Sequence, residues 1–531
     1  MKLPDIKDAI PADLYAVLHQ EGIASTEQGD IKGPVRVVSI DASLWGKAAA
    51  VAAACHVRWC AVWGEHRPPE MHIIAALAGC SGHLLLHTTV PDVRGELPSQ
   101  TPYYPAANRP ERYVQDMFGI RFTDNPDQRR WMRHLAWGRD QYPLRQDFPC
   151  AGMPPEETPP DCEYAFIPAE GEGLYEIPVG PVHAGIIEPG HFRFQAMGED
   201  ILSLEAHLGY VHKGIEKCAE GRDLHGLARL AARVSGDSTV AHAWAACQAC
   251  ENAVGLTVPS RALVIRAILA ERERIANHLG DIGACCNDVG FTFALVQFGR
   301  LREIWQRQSA TVFGHRLMMD VVTPGGVTHD LTQEHIVMLQ EAVEELRHEL
   351  QELLPLLFEY PPLQDRLRTT GILSLNMARS IGAVGYVARA SGESWDLRRD
   401  APYGPYEQVT VTVPRYTEGD TSCRVRVRGD ELLISLDLLE GFLANLPPGA
   451  ISVAVPVVHT ACSGVGLVEG WRGEILAYVR LDAAGTVSRY FPRDPSWLNW
   501  PALEALIGGV IVPDFPVCNK SVNGSYAGHD L

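Results

Sequence analysis

The chain of 531 residues has no run of about 20 predominantly apolar residues, the length that a membrane-spanning helix needs. Its least charged stretch, residues 445–468, is interrupted by three prolines and several glycines, and we expect buried strands and turns there. The opening residues MKLPDIKDAIPADLYAV carry acidic residues and prolines where a secretory signal has an apolar segment. The sequence therefore predicts a chain that is soluble by itself and reaches any membrane through partners.

Positive charge is also scarce, with 46 Lys and Arg against 65 Asp and Glu and a net charge of −19. Such a chain repels nucleic-acid phosphates, so no nucleic-acid partner is expected. The 13 cysteines are scattered, unlike a secreted disulfide scaffold, and they suit a reducing cytosol. A GxGxxG turn opening a βαβ unit, a P-loop, a GxSxG elbow and an HExxH pair are all missing, so direct nucleotide binding is not expected.

The length predicts two or three domains, and the pattern of the chain predicts an α+β fold. Residues 1–150 alternate apolar strand-like runs (35–40, 59–63, 72–78 and 83–90) with an alanine-rich helix at 48–55. The prolines of CAGMPPEETPPDC predict a linker over 151–164. Residues 165–531 are mostly helical, with helices at 261–288 and 331–360 (the latter capped by Asp330 and Gln333), and a smaller β portion from about 407 to 480, where QVTVTVP and SCRVRVR alternate.

The string ERYVQDMFGIRFTDNPDQRRWMRHLAWGRDQYPLRQDFP, residues 111–149, resembles the signature of the 30-kDa-type subunit of respiratory complex I. Asn125 stands where that family usually has His. The resemblance implies a structural segment that docks one subunit against another. The matching residues are Glu111, Asp116, Phe118, Gly119, Ile120, Pro126, Asp127, Arg129, Arg130, Pro143, Leu144, Arg145, Asp147 and Phe148.

Residues 180–222 resemble the opening of the 49-kDa-type complex I subunit, and more closely that of the large subunit of energy-converting and formate-hydrogenlyase-type [NiFe] hydrogenases. Gly180, Pro181 and His183 match both families, whereas Glu188 in IIEPGHF matches the hydrogenase branch. The resemblance implies a hairpin that lines a reaction cavity. Glu188 beside His191 could pass protons there if its pKa is moved toward neutrality; the alternative is a structural ion pair between Glu188 and Arg193.

The families' nickel–iron site needs four cysteines, arranged as Arg-x-Cys-Gly-x-Cys with a following His and as a C-terminal Asp-Pro-Cys-x-x-Cys. Residues 233–242 read RVSGDSTVAH, which keeps the frame and His242 but has Ser235 and Ser238 at the cysteine positions. In the second frame, SVNGSYAGHDL, Ser525 and Gly528 replace the cysteines. Soft thiolates hold nickel and iron, so these replacements predict no metal bound by this chain.

The remaining cysteine pairs and several charged residues are predicted to have structural roles. Cys247 and Cys250 lie in a helical AWAACQACENAV context, and they and the Cys285–Cys286 pair are expected to be buried thiols. Segments 271–291, 313–327, 388–406, 469–481 and 488–504 also resemble the hydrogenase and 49-kDa families. Their charged residues are expected to be buried in ion pairs: Arg389, Asp396, Arg398, Arg472 and Glu474.

The resemblance implies a 30-kDa-like domain (1–150) fused to a 49-kDa-like, [NiFe]-hydrogenase-like domain (165–531) in an NADH dehydrogenase-like oxidoreductase. Expected partners are a small iron–sulfur subunit with a [4Fe-4S] cluster, a ferredoxin-like subunit and ion-translocating membrane subunits on the cytoplasmic face of the membrane. This chain would bind no cofactor itself, and quinone is a possible acceptor. The candidate cavity residues are Glu188, His183, His191 and His242.

Two alternatives remain at this point. The chain could be a structural or regulatory subunit whose cavity is vestigial, which closure of the space around Ser235, Ser238 and Ser525 would favour. It could also be a genuine hydrogenase with unusual ligands, which nickel and iron analysis would test.

Overall fold

The computed structural model describes residues 14–79, 82–134, 137–138, 140–154, 164–184 and 187–531. Most of the expected linker, residues 155–163, lies outside this set, as do Cys80 and Cys162. Within the described residues, every helix is either too short or too polar to cross a bilayer. Helices and sheets are both extensive, which confirms the α+β fold.

The N-terminal part is built around a five-stranded sheet in the order β1-β3-β6-β5-β4, in which β3 and β6 run parallel and the other neighbours antiparallel. Its strands agree with the four apolar runs expected from the sequence. The elements are α1 (Leu14–Gln20), β1 (Ser25–Gln28), β2 (Ile31–Lys32), β3 (Val35–Ile40), α2 (Trp45–Ala54), β4 (Arg58–Arg67), β5 (Glu70–Gly79), β6 (Gly82–Pro91), β7 (Glu96–Pro98), α3 (Asn108–Phe118) and β8 (Arg121–Thr123).

The rest of the described chain begins with an antiparallel three-stranded sheet and continues as a mostly helical body. Its first elements are β9 (Leu174–Val179), β10 (His191–Met197), β11 (Asp200–His207), α4 (Ile215–Ala219), α5 (Leu224–Ala231), α6 (Thr239–Val254), α7 (Ser260–Asp288), α8 (Thr292–Phe313), β12 (Val322–Thr323) and β13 (Gly326–Val327). Then follow α9 (Gln333–Glu359), α10 (Pro361–Leu367), α11 (Leu375–Ser380), α12 (Gly385–Ala390), α13 (Leu397–Asp400), α14 (Thr421–Ala444), β14 (Cys462–Gly470), β15 (Gly473–Leu481), β16 (Val487–Arg493), α15 (Ser496–Leu506), α16 (Phe515–Val522) and α17 (Tyr526–Asp530).

Helix α6 lies directly on strand β14, and this contact fixes the helix that carries His242. The approach depends on glycine, because a Cβ at Gly466 would lie 2.0 Å from the carbonyl oxygen of Ala245. Strand β14 belongs to a second sheet, ordered β16-β15-β14-β2, in which β2 joins in parallel. The N-terminal part and the large body therefore share a sheet.

Three expectations about strands are wrong in whole or in part. SCRVRVR lies in helix α14, and its alternation arises because this helix is buried on nearly every side. Arg424 and Arg428 are inside because Ser521 and Asp281, among other groups, accept their hydrogen bonds. QVTVTVP, residues 408–414, forms no strand, and its first residue, Gln408, ends a short 3-10 helix. In the stretch 445–468 only the part from Cys462 onward is a strand, and Val457 is largely exposed.

The long helices agree with the sequence pattern, although one cap differs. Helices α7 and α9 cover the two expected spans within two residues at each end. The N-cap of α9 is Thr332, which forms a capping box with His335, rather than Asp330 with Gln333. Cys247, Cys250, Cys285 and Cys286 are buried free thiols, as expected. The five charged residues expected to be buried in ion pairs are all buried and paired.

A candidate active-site cavity

The segment between β9 and β10 forms the expected hairpin, and its two histidines bind backbone carbonyls. His183 Nε2 lies 2.8 Å from the Gly190 oxygen, and His191 Nδ1 lies 3.2 Å from the Gly180 oxygen. Burial lowers the pKa of His191, so its ring is neutral near pH 7 and donates through Nδ1. Both imidazoles therefore hold the ends of this loop together.

Glu188 carries an exposed carboxylate that reaches the C-terminal end of the chain. Its Oε2 accepts a hydrogen bond from the backbone amide of Ala527 at 3.0 Å. Arg193, the alternative partner, is instead paired with Glu176 at 2.8 Å. Among the described residues no arginine forms an ion pair with Glu188, so its exposed carboxylate can exchange protons with a molecule that binds beside it.

Ser235 and Ser525, which belong to the two serine frames, lie next to each other although they are 290 positions apart in the sequence. Ser235 precedes α6 and Ser525 caps α17, and their Oγ atoms are 2.9 Å apart. Ser235 donates its hydroxyl proton to Asp237 Oδ1 at 2.6 Å, so Ser525 must donate to Ser235. Ser525 Oγ also accepts from the Gly528 amide at 2.9 Å. Both hydroxyl protons are therefore committed to internal bonds.

An arginine lies beside this serine pair. Arg472 binds Asp237 through two hydrogen bonds of 2.6 and 2.9 Å and donates to the Asn523 carbonyl at 2.7 Å. Burial alone would raise the pKa of Asp237, but Arg472 holds it below its usual value. Ser238, the remaining serine of the frame, is buried with its Oγ 3.4 Å from Arg472. Both carboxylate oxygens of Asp237 are thus bound by Arg472, and Oδ1 also accepts the Ser235 hydroxyl.

His242 is completely buried and forms a pair with Asp494, with 2.8 Å between Nε2 and Oδ2. Burial favours the protonated acid, yet the hydrogen bond and charge of His242 keep the pKa of Asp494 below its usual value. The same carboxylate fills the space at position 528, since a Cβ on Gly528 would lie 2.6 Å from the carboxyl carbon of Asp494. His242 is therefore linked to α17 through Asp494 and does not line the cavity beside Glu188.

Several of these residues line a cavity of about 340 Å³ that opens to the surface. Of the four predicted cavity residues, Glu188 is among the described lining residues, whereas His183, His191 and His242 are not. Ser235 and Ser525 also line the cavity, and Ser238 does not. The described lining residues are Ile187, Glu188, Ser235, Gly236, Asp237, Arg472, Asn519, Lys520, Asn523, Gly524, Ser525, Tyr526 and Ala527. The space beside Ser235 and Ser525 is therefore open rather than closed by described side chains.

The residues present do not fit the nickel–iron centre of the hydrogenases that the sequence resembles. The Ser235 and Ser525 hydroxyls are hydrogen-bonded to each other, Gly528 has no ligand atom, and Asp494 occupies the room a side chain there would need. Neutral hydroxyls are poor ligands for such a centre. Cys518, the nearest cysteine in sequence, is buried, and burial raises the pKa of its thiol to about 11.

Sequence reasoning missed several residues of this site. Asp237 stands between the two serines of the first frame, and a charged residue at that place could have signalled a changed site. Asp494, Asn519 and Lys520 carried no comparable signal, because only folding brings their segments beside the hairpin.

Comparisons with known proteins agree with this arrangement. Residues 40–154 match the family model of the respiratory-chain NADH dehydrogenase 30 Kd subunit, and residues 288–464 match that of the 49 Kd subunit. Residues 213–280, which include the first serine frame, match the nickel-dependent hydrogenase model. The chain thus combines regions like two complex I subunits.

Curated relatives and a solved structure extend the likeness. Hydrogenase-4 component G of Escherichia coli (strain K12) is 35% identical over 81% of this chain and 75% of its own length. The C/D fusion protein of NADH-quinone oxidoreductase from Phocaeicola vulgatus is 32% identical over 72% of this chain and 77% of its own length. The structure of an archaeal membrane-bound sulfane sulfur reductase, described as a respiratory membrane complex, matches with a TM-score of 0.64 and 27% identity over 68% of this chain and 99% of that one.

The fold, the cavity and these likenesses define a subunit of an oxidoreductase complex. The chain belongs to the family of fused 30-kDa and 49-kDa complex I subunits that also includes hydrogenase-4 and formate hydrogenlyase subunits.

Proposed function

We propose that this chain forms the electron-acceptor site of a membrane-associated respiratory complex. Electrons would come from a [4Fe-4S] cluster on a small iron–sulfur partner, supplied by a ferredoxin-like subunit, and would reduce a quinone or another small acceptor in the cavity. Membrane partner subunits would link this step to ion translocation, and would hold the chain on the cytoplasmic face. The observation that carries the proposal is the open cavity of about 340 Å³ where the two serine frames converge.

The chain itself would contribute shape and proton handling. Glu188, at the cavity wall and bound only through the Ala527 amide among the described residues, can give or take a proton at Oε1 or Oε2. His183 and His191 would keep the hairpin in place. His242 would act from behind the wall by fixing Asp494 beside α17.

A structural or regulatory role is the second candidate. It is favoured by the internal bonding of Ser235, Ser525, Asp237 and Arg472, which leaves few free polar atoms at the former metal position. The open cavity instead favours the electron-acceptor site, because a small molecule could enter it. Hydrogenase activity is a third candidate because related chains carry hydrogenase names. The residues present fit a nickel–iron centre poorly. Stoichiometric nickel and iron in the purified complex, or hydrogen evolution by that complex, would nevertheless establish hydrogenase activity.

The test is electron delivery from the reduced iron–sulfur partner to a quinone analogue in the purified whole complex. We expect the Glu188→Gln, His242→Ala double variant to lower the rate by about 100-fold or more, the usual contribution of a proton-transfer group. Glu341→Gln, on the exposed side of α9, is the matched control and should leave the rate unchanged.

Two results would count against the proposal. A double variant that reduces the analogue at the wild-type rate would remove Glu188 and His242 from the mechanism. A wild-type complex that reduces no acceptor, but falls apart when this chain is withdrawn, would establish the structural role instead.

A further inference from the structure

Two cysteines near the junction of the two regions are accessible, unlike most of the thiols. Cys150 is exposed and directly follows the 111–149 segment, whereas Cys218 is half-buried on α4 of the large body. Neither takes part in the cavity described above. They are 68 positions apart in the sequence but belong to segments that are in contact.

Two contacts bring the segments that carry the two thiols together. Cys150 Sγ lies 3.9 Å from the carbonyl oxygen of Lys217, the residue before Cys218. Because one planar peptide unit joins that oxygen to the Cα of Cys218, Cys150 Sγ is within about 7 Å of this Cα. Lys217 Nζ donates to the Arg145 carbonyl at 2.8 Å and ties the same two segments together.

The electrostatics of Cys218 agree with this proximity. Burial raises the pKa of its thiol most, and the neighbouring Cys150 thiol raises it further by its charge and by a hydrogen bond between the two groups. A disulfide joins residues whose Cα atoms are usually about 4.4–6.8 Å apart, and the 3.9 Å contact between Cys150 Sγ and the Lys217 oxygen brings Cys150 into that range of Cys218, so that side-chain rotation can form the bond.

We propose that Cys150 and Cys218 are a modification site that forms a reversible disulfide. The oxidant is a small-molecule disulfide of the glutathione type: the two S–H bonds break, one S–S bond forms between Cys150 and Cys218, and the two electrons and two protons convert the oxidant into two thiols. A thiol reductant reverses the step by the same exchange.

The bridge would join the 111–149 segment to a helix that holds the C-terminal end of the chain. At the start of α4, the amides of Lys213 and Ile215 donate to the Leu531 carbonyl at 2.9 and 3.3 Å. Leu531 directly follows α17, whose N-cap is Ser525 of the cavity. The disulfide would thus link α4, whose start binds the residue after α17, covalently to the N-terminal region.

The experiment uses the full chain, reduced, desalted and then treated with oxidised glutathione. Free thiols are alkylated, the protein is digested without reduction, and the linked peptides are sequenced by mass spectrometry. We expect one linked pair joining Cys150 to Cys218, its disappearance after dithiothreitol, and its absence from the Cys150→Ser and Cys218→Ser variants. Cys55 and Cys462, two other half-buried thiols, are internal controls and should remain alkylated.

The proposal fails if Cys150 and Cys218 are both recovered alkylated, or carry only glutathione, after the treatment with oxidised glutathione. A link from Cys150 to a different cysteine would also overturn it. A second measurement is independent of the peptides: the oxidised wild type should unfold at a higher temperature than the reduced wild type, and the Cys150→Ser variant should show no such shift.

Discussion

At the scale of single residues, the packing of Gly528 against Asp494 defines the end of the second serine frame. Gly528 has no side chain, and the Asp494 carboxylate lies where that side chain would be, held by His242 at 2.8 Å. A cysteine at 528 and an aspartate at 494 could not coexist in this backbone without movement. Gly528 therefore has no side chain that could bind a metal, and its lack of a Cβ also leaves room for the buried pair of Asp494 and His242.

We expect Gly528→Ala to destabilise the chain by about 2 kcal/mol, because the new Cβ would meet the Asp494 carboxyl carbon at 2.6 Å. In an Asp494→Ala background the same change should cost less than about 1 kcal/mol, since the obstacle is gone. Urea unfolding of the four proteins of this double-mutant cycle measures the difference. Equal costs in the two backgrounds would show that the contact with Asp494 is not what excludes a side chain at 528.

At the scale of elements, the sequence predicts best where one periodicity extends over a long span. Helix α9 and the strands β3 to β6 agree with their patterns because each has one buried face or a nearly continuous apolar run. Helix α7 agrees in its bounds although residues 265–279 are buried on every side. SCRVRVR misleads because α14 buries arginines as well as valines, and only the fold supplies the partners that make this possible. Period-2 alternation cannot separate a strand from a helix buried all round.

The same limit applies to the cavity. The resemblance identifies Glu188 and the serine frames, which are local strings, whereas the Ser235–Ser525 contact joins residues 290 positions apart. Arg472 was expected only to be buried and paired, and its partner Asp237 lies 235 positions away. Tertiary packing brings such partners together, and local sequence patterns cannot predict these long-range contacts.

The close contact between α6 and β14 gives a prediction at Gly466, for which Gly441 in α14 is the control. Gly466→Ala would place a Cβ 2.0 Å from the Ala245 carbonyl oxygen, and backbone cannot move aside cheaply, so we expect a loss of about 3 kcal/mol or more. Gly441→Ala, inside α14 with nothing within 4 Å of the added methyl group, should stabilise by about 0.5–1 kcal/mol, because alanine favours helix. Chemical denaturation compares the two, and a Gly466→Ala chain as stable as wild type would contradict the close packing.

At the scale of the whole molecule, the two family regions are joined by buried charge as well as by the shared sheet. Glu474 of β15 accepts from Arg58 of β4 at 2.6 Å and lies 3.2 Å from His83 of β6. On its own side it binds Arg493 at 2.7 Å and the Trp395 indole at 3.2 Å. One buried carboxylate is thus shared by two guanidinium groups, one from each family region.

Glu474→Gln should therefore weaken the molecule as a unit. The variant leaves the buried Arg493 and the half-buried Arg58 without their shared counter-charge. Removing one partner of a buried ion pair costs about 3–5 kcal/mol. Glu440→Gln, which removes an exposed partner of Arg347, should cost less than about 1 kcal/mol. We expect calorimetry of Glu474→Gln to show a lower midpoint and a first transition confined to the N-terminal sheet, detected by hydrogen exchange in β4 to β6. A variant that keeps the wild-type midpoint and loses protection evenly across the chain would mean that the shared sheet, and not this carboxylate, couples the two regions.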